Sequence, residues 1–288
     1  MRLKSALRRG VAAAVIAGIV VSSGIPAYAK TWNIADGDIT VKGASDESGN
    51  YNNVKQGEKD FEKDEGETVI TGESDKNTVT IDTSKGDVDV TFDDLKIDVS
   101  GKKEGDGSDD GPVRESKAAV TVKGDHDAAI ELDGDNELKS GGYNAGLEKN
   151  EHESKGTLTI KGDKGKDGSL TAEGGFGGAG IGGGIESTGS NITIRGGTIE
   201  AVGGSNAAGI GDGAGRASDD TDDPNPGDLY ICGDAEVTAK AGSQMMTDAK
   251  APAIGGSYGE VPTENLSDDE HKAVSYTHLR AHETDSYL

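Results

Sequence analysis

The residues best suited to chemistry in this sequence are carboxylates gathered in short acidic stretches. The stretch DDTDDPNPGD, residues 219–228, places Asp219, Asp220, Asp222 and Asp223 close together. Calcium takes about six to eight oxygen ligands, and a turn rich in aspartate, asparagine and backbone carbonyls can supply them. The spacing matches neither an EF-hand loop nor the calcium-binding nonapeptide, so solvated loop charge is the alternative. We predict a calcium site at these four aspartates.

A second set of candidates combines basic and aromatic side chains on predicted strands. The segments LTIKG, ITIRG and LYICG begin at residues 158, 192 and 229, and they carry Lys161, Arg195 and Cys232 at the same position. In the last of these segments, Tyr230 stands where the other two have threonine. An aromatic ring can stack on a sugar, and cations pair with acidic groups. We predict Lys161, Arg195 and Tyr230 as carbohydrate-binding residues, with a merely solvated strand face as the alternative.

Catalytic and nucleotide-binding patterns are weak. His126, His152 and His271 lie in polar segments, and carboxylate pairs are too frequent to single out an acid and a base. Residues 175–180 match G-x-G-x-x-G, but the following sequence cannot supply the helix that a dinucleotide site needs. We therefore predict no enzyme activity.

The charge and cysteine content limit the functional classes further. The chain has 53 acidic and 29 basic residues, a formal net charge of −24 and one cysteine in 288 residues. Such a surface repels nucleic acid and anionic lipid, so we expect neither as a partner. A single cysteine excludes an intramolecular disulfide framework. With only 32% hydrophobic residues, order must come from a repeating pattern.

The sequence does repeat. Residues 143–175, 176–204 and 205–242 each contain a small-Gly-apolar triplet, a variable loop, a strand, a glycine turn and a second strand, and a fourth copy begins at 251–260. Repeats of this length are typical of solenoids. Strict alternation along the strands predicts that Leu158, Ile192 and Leu229 stack in one interior column. Gly182 and its two following glycines should turn a corner where a side chain has no room.

These features predict an all-β fold, a single-stranded parallel β-helix solenoid. We assign the domain to residues 31–273, with the clearest repeats at 117–260. The charged stretches 44–66 and 101–115 read as loops projecting from the solenoid.

Both ends of the chain differ from the repeats. Residues 1–29 have a basic start, a short apolar run and an Ala-Tyr-Ala site, which predict a secretory signal peptide and a mature chain without membrane insertion. Residues 274–288 resemble a translated transposon-based sequencing adapter. We interpret them as an artefact that adds nothing to the fold, which leaves the solenoid truncated and uncapped at its C-terminus.

The run AGIGGG…ITIRGGTIEAVGG…AAGIGDG, together with ELDGDNELKSGGYNAGLEK, resembles a carbohydrate-binding domain family of exported clostridial and other Gram-positive gut bacterial proteins. The resemblance implies a right-handed β-helix with bound calcium that binds plant cell-wall polysaccharide, acidic polymers included. We therefore expect a secreted or cell-surface module, anchored through a missing C-terminal region if anchored at all. A structural or adhesive solenoid is the first alternative, and a polysaccharide lyase or hydrolase is the second.

Overall fold

The structure is a computed structural model that describes residues 30–47, 49–64, 66–101, 116–162, 168–215, 229–243, 251–255 and 279–280. The signal peptide predicted at residues 1–29 and most of the loop predicted at 101–115 lie outside these ranges. Among these residues, no helical segment has the length and hydrophobicity of a membrane span.

The N-terminal part contains seven strands and one 3-10 turn at Ile34–Asp36. The strands are β1 (Lys30–Asn33), β2 (Ile39–Asp46), β3 (Gly49–Gln56), β4 (Glu62–Asp64), β5 (Thr68–Ser74), β6 (Val79–Asp82) and β7 (Val88–Asp98).

The rest of the chain adds short strands at regular intervals. They are β8 (Val120–Lys123), β9 (Ala128–Asp133), β10 (Asp135–Lys139), β11 (Leu147–Glu148), β12 (Leu158–Gly162), β13 (Ser169–Glu173), β14 (Ile181–Gly182), β15 (Ile192–Ile194), β16 (Thr198–Val202), β17 (Ile210–Gly211), β18 (Leu229–Ile231), β19 (Glu236–Lys240), β20 (Ile254–Gly255) and β21 (Leu279–Arg280).

The chain folds as an all-β parallel β-helix with three stacked faces. The first face stacks β9, β12, β15 and β18, the second stacks β10, β13, β16 and β19, and the third stacks β2, β6, β8, β11, β14, β17 and β20. All these neighbours pair in parallel. The long strand β7 belongs to two faces, because its first half pairs with β9 and its second half with β10. Each coil therefore contributes one strand to each face.

The interior follows the predicted alternation. Leu158 pairs with Ile192, and Ile192 pairs with Leu229, so these residues form the expected column. Leu158 and Ile192 are buried, and Leu229 in the last coil is partly buried against the same core. Burying one such side chain contributes roughly 1.5–3 kcal/mol. The core is thus a stack of like residues, each packed against its copy one coil away.

The corner at the end of β14 confirms the role predicted for Gly182. Its φ is +134°, and a Cβ there would lie 2.0 Å from the carbonyl oxygen of Gly211 in the next coil. Gly211, with φ +129°, occupies the same ladder position one coil later. Ala179 and Ile181, which precede Gly182, are fully buried. A side chain at this corner would force successive coils apart, which explains the glycine repeat.

The described residues of the stretch 44–66 do not form the predicted projecting loop. They complete β2 and form β3 and β4, which pair with each other and with β2 in antiparallel fashion at the N-terminal end of the third face. The prediction was wrong because the inward side of β3 has only one apolar residue, Val54, between two polar ones. Asn52 and Gln56 point inward, and their amides donate to Asp89 O and Asn33 O at 2.7 and 2.6 Å.

At the other end, Leu279–Arg280 pair antiparallel with Glu236 and Val237 of β19. The interpretation of residues 274–288 as an artefact stays a prediction. The remainder of that segment lies outside the described ranges.

Candidate functional site

The first face presents the predicted outward column. Register places Thr159 beside Thr193 and Thr193 beside Tyr230, between inward residues that fill the core. Because successive strand residues point to opposite sides of a sheet, Tyr230 faces outward, and its side chain is 59% exposed. The structure thus presents this tyrosine ring to solvent in a parallel ladder next to Thr193 and Thr159.

Lys161 and Arg195 follow the paired residues Ile160 and Ile194, so they occupy equivalent positions in consecutive coils. The Arg195 amide donates to the Ile160 carbonyl at 2.8 Å, which continues the ladder past the strand ends. Arg195 is exposed, whereas the Lys161 ammonium lies 3.4 Å from a carboxylate oxygen of Glu131 in the preceding coil. Of the two predicted cations, Lys161 is therefore already paired across coils.

Cys232 extends the same row by one coil, since its amide donates to the Ile194 carbonyl at 2.9 Å. Its thiol is free and exposed. The structure thus brings together three of the residues that share one sequence position, with Tyr230 two residues before the last of them.

The predicted calcium ligands Asp219, Asp220, Asp222 and Asp223 lie outside the described residues, so the calcium site remains a prediction. In the ranges that the structure covers, no group of three or more His, Cys, Asp or Glu side chains is arranged to hold a metal ion.

The structure adds an aromatic corner that the sequence prediction missed. Tyr143 lies between β10 and β11, and Phe176 lies between β13 and β14, one coil later. Their side chains are 54% and 48% exposed, their ring centroids are 5.9 Å apart, and the rings meet edge to face at 86°. The Tyr143 amide donates to the Phe176 carbonyl at 2.7 Å, so the backbone fixes the pair. In a chain with only 4% aromatic residues, two exposed rings in contact are a notable feature.

Tyr143 has an unusual backbone conformation. Its φ is +71°, and it lies four residues before the paired position of β11. The equivalent residues in the next two coils are Gly177, with φ +77°, and Asn206, with φ +60°. Glycine and asparagine tolerate this region, whereas a bulky residue there costs about 1–3 kcal/mol. Aligning the sequence repeats at the paired residues Leu147, Ile181 and Ile210 would have revealed the mismatch, because the first repeat has tyrosine where the later ones have Gly or Asn.

Two buried titratable residues follow the aromatic corner. Glu148 is only 6% exposed, and its carboxylate accepts a hydrogen bond from the Ala145 amide at 3.1 Å. Burial, reinforced by the negative charge of Glu153, raises the pKa of Glu148 to about 7. Perturbed carboxyls often mark active sites, but this one is enclosed by the coils and does not reach the surface. We assign it a structural role.

Lys149 is fully buried, and its ammonium donates to the Ser154 and Ser190 carbonyls at 3.1 and 2.9 Å. Burial lowers the pKa of Lys149 to about 8. Because Ser154 and Ser190 belong to successive coils, this one ammonium ties the two coils together. The nearby hydroxyls of Ser154, Thr188 and Ser190 are buried and form no hydrogen bond with the part of the chain that the structure describes.

A groove of about 460 Å³ lies where β5, the second half of β7 and β10 meet. Its charged side chains largely face one another. The Lys139 ammonium lies 2.5 Å from Glu137, a contact that raises the pKa of Lys139, and the Lys96 ammonium lies 3.8 Å from Glu73. The groove therefore offers a ligand few polar groups that are not already paired.

A family model described as a β-helix repeat matches residues 166–185 and 192–214. These residues include β13 to β17, so the match agrees with the parallel ladders of the central coils. The search of curated proteins found no match. The search of solved structures found none either.

Proposed function

We propose that this protein is a non-catalytic carbohydrate-binding module for cell-wall polysaccharide, working outside the cell. The observation that carries the proposal is Tyr230, whose ring stands 59% exposed on a parallel ladder. A polysaccharide repeats the same sugar along its length, and a solenoid face repeats equivalent residue positions from coil to coil. Weak contacts along such a surface add through multivalency.

Arg195 and Lys161 supply cationic groups beside this ladder. An exposed guanidinium can pair with a sugar carboxylate through two parallel hydrogen bonds. This favours an acidic cell-wall polymer, in line with the family resemblance of the sequence. The net charge of −24 opposes such a ligand at long range.

Calcium at Asp219, Asp220, Asp222 and Asp223 would offset that repulsion. A bound calcium ion neutralises protein carboxylates and can keep coordination positions for sugar carboxylates. We therefore propose that binding of an acidic polymer is calcium-assisted.

The test is isothermal titration of the full chain with polygalacturonate, first with calcium and then with chelator. We expect Tyr230→Ala to weaken binding about tenfold, which corresponds to the loss of roughly 1.4 kcal/mol of stacking. Lys240→Ala is the control for the cations, because Lys240 is exposed on the second face and pairs with Glu200. Arg195→Ala should weaken binding while Lys240→Ala leaves it unchanged.

Equal affinity with and without calcium would remove calcium from the mechanism. A specific observation favours the alternative of a structural solenoid: charges on the surface pair across coils, as Lys161 does with Glu131 and Lys240 with Glu200. Such pairs stabilise the stack without any ligand. Absence of binding to every cell-wall polysaccharide tested would establish that alternative.

A further inference from the structure

The aromatic corner breaks the pattern of its own repeat. At the corner before the third face, successive coils place Tyr143, Gly177 and Asn206 in the same left-handed conformation. The two later coils use residues that adopt it readily, whereas the first uses a bulky ring. Phe176 likewise stands where the next coil has Ser205 and the preceding coil has Gly142. Both exceptions to the repeat are aromatic, and they touch each other.

Neither ring contributes to the buried core. Each is about half exposed, and the hydrophobic cluster that holds the coils together does not contain them. Stability of the fold therefore does not explain why a strained tyrosine occupies this position. Backbone strain of this kind is retained where it serves binding.

Two polar, uncharged side chains, Asn144 and Ser116, lie beside Tyr143. The side-chain amide of Asn144, next to Tyr143, donates to Ser116 Oγ at 2.6 Å and to the Gly142 carbonyl at 2.8 Å. Ser116 is exposed and Asn144 is partly exposed. Two rings at nearly a right angle form an open notch with one face and one edge, bordered by an amide and a hydroxyl.

We propose that Tyr143 and Phe176 form a stacking subsite for an uncharged pyranose ring of a polysaccharide. The C–H face of the sugar packs on an aromatic ring, and the sugar hydroxyls exchange hydrogen bonds with Asn144 and Ser116. An uncharged sugar fits because the side chains of Asn144 and Ser116 are uncharged and the chain as a whole repels anions. The proposal rests on the proposed function and adds a subsite distinct from the first face that carries Tyr230.

The repeat itself provides the variants. Tyr143→Asn copies Asn206, and Phe176→Ser copies Ser205, so each replaces the aromatic residue with the one that the next coil uses. Phe61→Ser is the control, because Phe61 is also an exposed aromatic residue, 43% exposed, but directly precedes β4 at the N-terminal end. Thermal unfolding is measured alongside binding.

The probes are cellohexaose and a hexamer of galacturonate, titrated into the full chain. We expect Tyr143→Asn and Phe176→Ser each to weaken cellohexaose binding about tenfold, with galacturonate binding changed less than twofold. Tyr143→Asn should keep or raise Tm, because it removes a strained conformation. Phe61→Ser should change neither affinity.

Unchanged cellohexaose affinity in both corner variants, while Tyr230→Ala still weakens galacturonate binding, would overturn this subsite and leave the proposed function intact. A drop in Tm of Tyr143→Asn with unchanged affinity would assign Tyr143 a purely structural role. Absence of binding of either probe to the unaltered chain would overturn both proposals.

Discussion

The N-terminal end and the glycine-rich coils stabilise the same solenoid by different means. At the N-terminal end, β3 and β4 extend the third face as antiparallel edge strands, and large side chains form a buried polar network. The Trp32 indole donates to Asp64 at 3.0 Å, and the Thr68 hydroxyl donates to the same carboxylate oxygen at 3.1 Å. Lys30 lies 4.2 Å from the Trp32 ring centroid. This end therefore relies on specific side-chain contacts.

In the coils from β11 to β17, the corners are built from glycine and alanine. Backbone packs directly on backbone, as the close approach of Gly182 to Gly211 shows. The buried Lys149 ammonium adds side-chain hydrogen bonds to carbonyls of two successive coils. The comparison shows that an end of a solenoid needs side chains to cover its open edge, whereas an inner coil is covered by its neighbours.

The largest expected effect is in the glycine-rich coils. Lys149→Ala should lower the free energy of unfolding by about 3–5 kcal/mol, because it leaves a cavity and removes the hydrogen-bond donor of the buried Ser154 and Ser190 carbonyls. Lys155→Ala, an exposed lysine in the same segment, is the matched control and should cost less than about 0.5 kcal/mol. Urea denaturation measures both. Equal stability of the two variants would show that the coils do not depend on this ammonium.

At the N-terminal end, Asp64→Ala should lower the free energy of unfolding by about 2–3 kcal/mol. It removes the acceptor of both Trp32 and Thr68 and leaves two buried donors unpaired. The control is Glu62→Ala on the same strand, whose half-exposed ion pair with Lys30 contributes at most about 1 kcal/mol. Hydrogen exchange should accelerate first in β1 to β5. Uniform acceleration along the solenoid would instead indicate that its two regions unfold as one unit.

A smaller expected effect is a pH dependence of stability that arises in the glycine-rich coils, at Glu148. The pKa of Glu148 is raised from an ordinary 4.5 to about 7 in the folded chain, so the folded state binds more protons between these values. Its contribution to stability is full below about pH 4.5 and is lost as pH rises through 7. Between pH 5 and 7.5 this amounts to about 2 kcal/mol.

Glu148→Gln should remove that pH dependence from the unfolding free energy, because glutamine keeps the shape and cannot titrate. The measurement is the difference in stability between the two chains across this pH range, which cancels the other carboxylates. A difference that stays constant with pH would mean that Glu148 titrates normally.

The central coils could be read from the sequence in detail. The alternation in LTIKG, ITIRG and LYICG predicted the column of Leu158, Ile192 and Leu229, and the register confirms it. The repeated glycine predicted the corner at Gly182. These predictions succeeded because a stacked coil meets only copies of itself, so its local pattern contains its tertiary neighbours.

The N-terminal hairpin could not be read in the same way. The inward side of β3 carries Asn52 and Gln56 on either side of Val54. The burial of these two polar residues depends on acceptors 37 and 23 residues away in the chain. Without those partners, the same sequence is an ordinary polar loop. The aromatic corner also needed the structure, because contact between Tyr143 and Phe176 follows from the coil stacking.

By itself, the sequence determined the β-helix architecture, the core columns and the outward position of Tyr230. Strand alternation and glycine corners are local properties, and they leave only one way to bury the apolar residues of each coil. The tertiary structure alone decided which polar residues are buried, that Lys149 joins two coils, and that a strained tyrosine meets a phenylalanine at the surface. Those outcomes depend on distances between coils, which residue order alone does not specify.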